Sequence, residues 1–420
     1  GWGYANTFDS WNFIRGQEYD PIKPVVSPPV KMLREKFDER HYPMQDLANG
    51  QAITREATEK APWRRMRHAV NTLFMDAEED FPTAKCFSGA FEFLELNKAA
   101  DDWFLQLECF DPHEPFTVPE RFKKAYDTGY NGKILDWPIY EKVNNSKAEV
   151  AEIRSNYAAL VAMCDEYFGR LLDWLDAENA WADTTLIVTT DHGHLLGEHE
   201  WWAKNKMPYY EEISHIPLMM WHPEMGERSG TRTDALTQTT DLMPTFLDLY
   251  SIETPPEVTA HSLMPALQGR GTKRDTAILG MFAGPICVTD GRYTYFRFPV
   301  EPAGEPLPLY TVMPSHMTTL FSVEELRTTE LVGPFDFTKG VPMMKVEMSS
   351  EVGEAGLECV ANWGEGSCLF DLSTDPGQET PIDDPATIEC LNRCIVEHLI
   401  RHDAPEEIYA HYGLEEWRTA

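Results

Sequence analysis

Two short stretches concentrate side chains able to bind a cation and move a proton. One holds Asp111 and His113; the other holds Asp191, His192, His194, Glu198 and His199, followed by Lys204. A carboxylate and an imidazole side by side, as in Asp191-His192, offer an oxygen and a nitrogen to a divalent metal. Gly193 behind them lets the backbone turn tightly. The same dipeptide also suits a plainer arrangement, with Asp191 capping the segment that follows and His192 a satisfied polar residue. Lys204, after Trp201 and Trp202, can hold an oxygen of a tetrahedral anion as a point charge, or simply lie on the surface. His113, between Pro112 and Glu114, is able to hand a proton to a leaving oxygen; many loop histidines do nothing of the kind.

These groups need rigid carriers. Trp103–Phe110 is a run of bulky residues that reads as a buried strand, and it stops at Asp111-Pro112-His113-Glu114-Pro115, where the prolines end any ladder. Thr184–Thr190 is β-branched and apolar, a second buried strand delivering Asp191-His192 at its carboxyl end, where open α/β sheets gather ligands. Ile153, Tyr157, Leu160, Val161, Cys164, Phe168, Leu171 and Leu172 fall at steps of three and four, so Ala148–Leu175 is predicted as a long helix. Helical spacing also marks Trp63–Phe74, Phe87–Asp101 and Thr239–Tyr250, and Ile216–Trp221 reads as a strand. The alternation over residues 60–250 predicts an α/β layered fold with a mostly parallel sheet.

The texture changes after about Gly269. Ile286–Asp290, Gly291 and Arg292–Phe298 predict an antiparallel hairpin turning at Asp-Gly, Gly364–Leu372 another strand, and Thr387–Ile400 a closing helix. The expected division is a core over 1–275 and a smaller α+β subdomain over 276–420. Residues 1–60 read as loop wrapped over a core, with four prolines in Pro21–Val30.

The formal charge is −33, from 36 Lys and Arg against 69 Asp and Glu, a surface that repels nucleic acid. An anionic substrate then needs a local cationic site. Eight cysteines without a CxxC pair fit buried free thiols and favour a reducing, cytoplasmic setting. The longest apolar runs are too short to span a membrane. The sequence opens on Gly1 without Met, straight into aromatic-rich residues, so an upstream segment is expected.

Taken in order, the segments resemble sulfatases. Phe110-Asp111-Pro112-His113-Glu114-Pro115-Phe116 resembles the family's mid-chain histidine loop, and Thr189–His199 (TTDHGHLLGEH) its second metal-ligand motif. Lys204 stands where the family has an active-site lysine. Ile216-Pro217-Leu218, Asp241–Phe246, Ser262–Pro265 and Leu369–Leu372 with Asp375-Pro376-Gly377 resemble its structural signatures, so the likeness runs from Gly1 to near Gly413.

The resemblance implies an alkaline-phosphatase-like α/β/α sandwich and hydrolysis of a small-molecule or carbohydrate sulfate ester. It implies that Asp191 and His192 bind a divalent cation, Ca²⁺ first, with Mn²⁺ and Mg²⁺ open. Lys204 and His113 would contact the sulfate, and one of them would protonate the leaving alcohol. The family's nucleophile is a formylglycine made from a Cys/Ser-x-Pro-x-Arg motif, which none of the eight cysteines and no serine here begins. The paired N-terminal aspartates of the family's metal site are also absent. Both are expected upstream of Gly1, and the 420 residues by themselves are expected to be inactive. A phosphonate monoester or phosphodiester hydrolase of the same superfamily is the nearest alternative. A non-catalytic relative that kept only the fold is the other, and oligomeric state stays open.

Overall fold

The computed structural model describes residues 5–18, 20, 22–44, 62–300, 307–316, 320–347 and 354–418. They fall into two compact units. The first runs up to Ala182 and also takes Leu196–Trp202; the second takes Asp183–Leu195 and the chain from Ala203 on. The part of the expected loop from residue 45 to 60 lies outside the described residues.

The first unit is built from helices α1 (Val30–Lys36), α2 (Pro62–Asn71), α3 (Pro82–Asn97) and α4 (Lys147–Ala177). Helix α4 starts where Ser146 and Glu149 form a reciprocal capping box, which fixes its first turn. It buries Ile153, Leu160, Met163, Tyr167, Leu171 and Leu175; Ile153, Leu160 and Leu171 belong to the predicted stripe, whereas Tyr157, Cys164, Phe168 and Leu172 are half-buried and Val161 is exposed. Helix α3 begins five residues earlier than its periodicity suggested, because Pro82 suits the first helical turn. Its Phe87 meets Tyr167 of α4 with ring centroids 5.6 Å apart. Gly169 of α4 has open space where a Cβ would go. Gly169→Ala should therefore raise unfolding free energy by about 0.5–1 kcal/mol, read by urea titration.

A second cluster packs Leu33, Phe37, Tyr42, Met66, Ala69, Val70 and Trp137. Arg65 stacks on Trp137 at 4.4 Å and donates to the carbonyls of His41, Trp137 and Pro138. Along the C-terminal half of α4, Arg121 bridges Glu78 and Glu166, with Arg170 and the Tyr167 hydroxyl on the same carboxylates. The Arg121 bond holds the Glu78 carboxyl down at about 2. A carboxyl depressed on folding stabilises above its unfolded value and loses that contribution as pH falls towards the folded one. Glu78→Gln should accordingly flatten the fall in melting temperature between about pH 4.5 and pH 2.

The second unit holds strands β1 (Leu186–Thr189) and β2 (Leu218–Trp221), then α5 (Leu242–Leu249). Next comes a four-stranded sheet in the order β9 (Cys368–Asp371), β5 (Tyr293–Arg297), β4 (Ile286–Thr289), β3 (Ala277–Gly280). Strands β6 (Leu309–Thr311), β7 (Glu330–Val332) and β8 (Met343–Val346) form a three-stranded sheet with β8 central. Helices α6 (Glu354–Trp363) and α7 (Pro385–Arg401) complete the unit, and α7 packs Leu391, Ile395 and Val396 on Val288, Tyr295 and Leu369. The expected hairpin is present: Asp290 Oδ1 accepts from the Arg292 and Tyr293 amides while Gly291 takes φ +90°.

Two expectations are corrected. Every ladder of the second unit is antiparallel, including β1 with β2, which pair Leu186 to Trp221 and Thr189 to Leu218. The mostly parallel sheet is therefore not seen among the described residues. Both strands are half-buried where a buried strand was expected at Thr184–Thr190, and so short an apolar run leaves direction unspecified. Trp103–Phe110 is not a strand of any described ladder; over Trp103–Cys109 half-buried and exposed residues alternate with a period of two.

Candidate active site

In the first unit, the residues after that segment turn into the Asp111–Pro115 loop. Asp111 Oδ2 accepts from Thr83 Oγ at the start of α3, 2.5 Å away. Burial pushes the Asp111 carboxyl up to about 6 against that hydrogen bond. His113 follows, one-quarter exposed, with the Phe110 ring 4.3 Å from its own. Its Nδ1 donates to the Glu114 carbonyl and lies 3.4 Å from Glu114 Oε2. Glu114 is 3% exposed, and its Oε1 accepts from the Tyr140 hydroxyl.

In the second unit, Asp191 and His192 follow directly on β1. Asp191 Oδ1 accepts from the His192 amide at 2.9 Å, and Asp191 Oδ2 stands 3.3 Å from His192 Nε2. Nδ1 of His192 donates to the Gly193 carbonyl at 2.9 Å, so the lone pair faces the carboxylate side. Gly193 is what lets this loop lie down. Its amide donates to the Ile213 carbonyl at 2.8 Å, and a Cβ there would sit 1.9 Å from the Glu212 carbonyl oxygen.

The groups read from the sequence thus fall in both units. Asp191, His192, His194 and Lys204 belong to the second unit and His113 to the first. Glu198 and His199 also go to the first, because Leu196–Trp202 folds back as a hairpin beside Glu141 and Lys142. Glu198 is committed there, taking the Leu196 amide and pairing with Arg154 at 3.6 Å. Trp201 and Trp202 are packing residues, 7% and 1% exposed, with Trp202 Nε1 donating to Asn145. A second cation missed in the sequence is Lys206, two residues past Lys204, which pairs with Glu358 of α6. Its only signal was a lysine shortly before the Tyr209-Tyr210-Glu211 run.

A divalent metal fits the donor chemistry of Asp191 and His192, an oxygen and a nitrogen held close with the histidine tautomer set by Gly193. They supply two donors, and no group of three or more His, Cys, Asp or Glu able to hold a metal occurs among the described residues.

The backbone path has known counterparts. A sulfatase structure from Bacteroides fragilis superposes with TM-score 0.52 at 20% identity, over 79% of this chain and 60% of that one. A phosphonate monoester hydrolase from Silicibacter pomeroyi gives 0.50 at 20%, over 78% and 62%. The chain shares the α/β fold of these two structures. Residues 33–252 match the sulfatase family model, and the chain belongs to the sulfatase family. Among its relatives, an N-acetylglucosamine-6-O-sulfatase of Bacteroides thetaiotaomicron is 31% identical over 159 residues, 37% of this chain and 27% of that protein. A multifunctional alkaline phosphatase superfamily protein of Trinickia caryophylli is 32% identical over 199 residues, 39% and 37% respectively. The chain thus spans well under half the length of these two relatives.

Proposed function

We propose that the chain supplies part of the active site of a sulfuric ester hydrolase acting on a small-molecule or carbohydrate sulfate. The observation that carries this is the Asp191–His192 pair at the end of β1, inside the stretch that matches the sulfatase family. Asp191 and His192 would ligate a divalent cation, Ca²⁺ before Mn²⁺ or Mg²⁺. When bound, that cation would offset negative charge on the ester's oxygens. Lys204 would hold a sulfate oxygen as a point charge, and Nε2–H of the His113 imidazolium would protonate the departing alkoxide. A formylglycine nucleophile belongs to the same reading; no Cys-x-Pro-x-Arg or Ser-x-Pro-x-Arg occurs in these 420 residues. The glucosamine sulfatase among the relatives favours a sugar sulfate. Residues 276–420 we take as a subdomain. A reducing, cytoplasmic setting is part of this reading on cysteine usage alone, and no helix among the described residues is long and apolar enough to cross a membrane.

The phosphonate hydrolase sharing this fold makes phosphonate esters the rival substrate class. Rates on 4-nitrophenyl sulfate and a 4-nitrophenyl phosphonate, on protein carrying the complete coding sequence, decide between them. Sulfate should be preferred, and chelation should abolish turnover until Ca²⁺ is returned. A preference for the phosphonate by orders of magnitude would sink the sulfatase activity.

A further inference from the structure

We propose that the Glu114 carboxylate is a positioning residue for His113, holding its charged form, with Tyr140 fixing Glu114 in turn. This rests on His113 being the leaving-group acid. The three groups form a chain inside one compact unit: His113 Nδ1 lies 3.4 Å from Glu114 Oε2, and Tyr140 donates to the other carboxylate oxygen. Glu114 turns its side chain inwards, to 3% exposure.

A carboxylate this deep is costly unless paired and hydrogen-bonded. Tyr140 supplies one hydrogen bond, and burial together with Glu114 pushes the Tyr140 phenol up, so it stays a donor. Arg65 adds positive field near the carboxylate, while its N–H groups donate to the carbonyls of His41, Trp137 and Pro138. The imidazolium of His113, 3.4 Å from Oε2, adds a further compensating charge. The other carboxyl of the loop, Asp111, is turned to Thr83. In the chemical step the Nε2–H bond of His113 breaks, its electron pair stays on nitrogen, and an O–H bond forms on the leaving alkoxide. Nδ1 keeps its proton, and Glu114 stays ionised throughout. Its role is to make the charged ring available near neutral pH.

The test is the titration of His113 in the full 420-residue chain, followed by NMR of carbon-13-labelled imidazoles. In E114Q, which keeps shape and removes charge, the His113 pKa should fall by about one unit, and E114D should restore at least part of it. In Y140F the carboxylate loses a donor and becomes a stronger partner, so the His113 pKa should rise by roughly a few tenths of a unit. An unchanged His113 titration in E114Q overturns the proposal, because a carboxylate kept only for packing would leave it still. Should E114Q fail to fold, Y140F decides, and no movement there overturns it equally. Neither readout needs turnover. Loss or survival of hydrolysis in H113A tests the acid role separately.

Discussion

Replacing Asp241 with Ala should cost the protein about 3–5 kcal/mol of unfolding free energy, the largest loss expected of any single change in the second unit. Asp241 and Arg274 form an ion pair whose side chains are 3% and 9% exposed. The carboxylate does more than neutralise the guanidinium. Its Oδ2 accepts from the Gln238 amide at 2.8 Å and its Oδ1 from the His261 amide at 3.0 Å. Next to it, Thr245 Oγ donates to the Asp241 carbonyl and accepts from the Leu263 amide. One residue thus ties the start of α5 to the Ser262–Pro265 stretch and to the approach to β3. Removing it strands a buried cation and two amides, and an unsatisfied buried charge is the costly part. Asp241→Asn should be milder, since it keeps acceptors and loses only charge. Urea unfolding followed by far-ultraviolet circular dichroism would measure both; a loss below about 1 kcal/mol for the alanine variant would show that water reaches Arg274.

The second large effect is expected at Gly193. A methyl group there would overlap the Glu212 carbonyl oxygen at 1.9 Å, and that oxygen is backbone, unable to swing aside. Gly193→Ala must either push the 212–213 backbone away or lift the loop, and either way loses the Gly193 hydrogen bond to Ile213. A cost of about 3 kcal/mol is expected, combining overpacking with one lost hydrogen bond. Because the loop carries Asp191 and His192, affinity for Ca²⁺ or Mn²⁺ should fall along with stability. Calorimetric titration of the folded variant with each ion at low temperature separates the two effects. Unchanged stability would mean the loop tolerates the displacement.

The contrast between these two sites shows what a sequence can and cannot record. Helix α4 was legible because its apolar steps repeat for eight turns and Ser146 with Glu149 marks its start. The Asp290-Gly291 hairpin was legible because the turn chemistry is local. Strand direction was not, since β1 and β2 carry the same short apolar pattern whichever way they run. Trp103–Phe110 looked like a strand for the same reason: ladder partners are non-local. Of the candidate site, the adjacency of Asp191 with His192 and the loop around His113 could be read directly. The inward turn of Glu114 onto Tyr140 could not, because 26 residues separate them. Nor could the loss of Glu198 to Arg154, 44 positions earlier, which a run of polar residues near His192 disguised.

The path of the chain carries one more implication. Because the polypeptide leaves the first unit at Ala182, returns for Leu196–Trp202 and departs again, no single peptide cleavage yields two whole units. A fragment ending at Ala182 would lack the indole of Trp202 that Asn145 receives, and with it the partner of Glu141. The piece beginning at Asp183 would carry that same indole with nowhere of its own to put it. Split-protein or limited-proteolysis designs on this scaffold therefore need cuts in pairs, on either side of the returning hairpin.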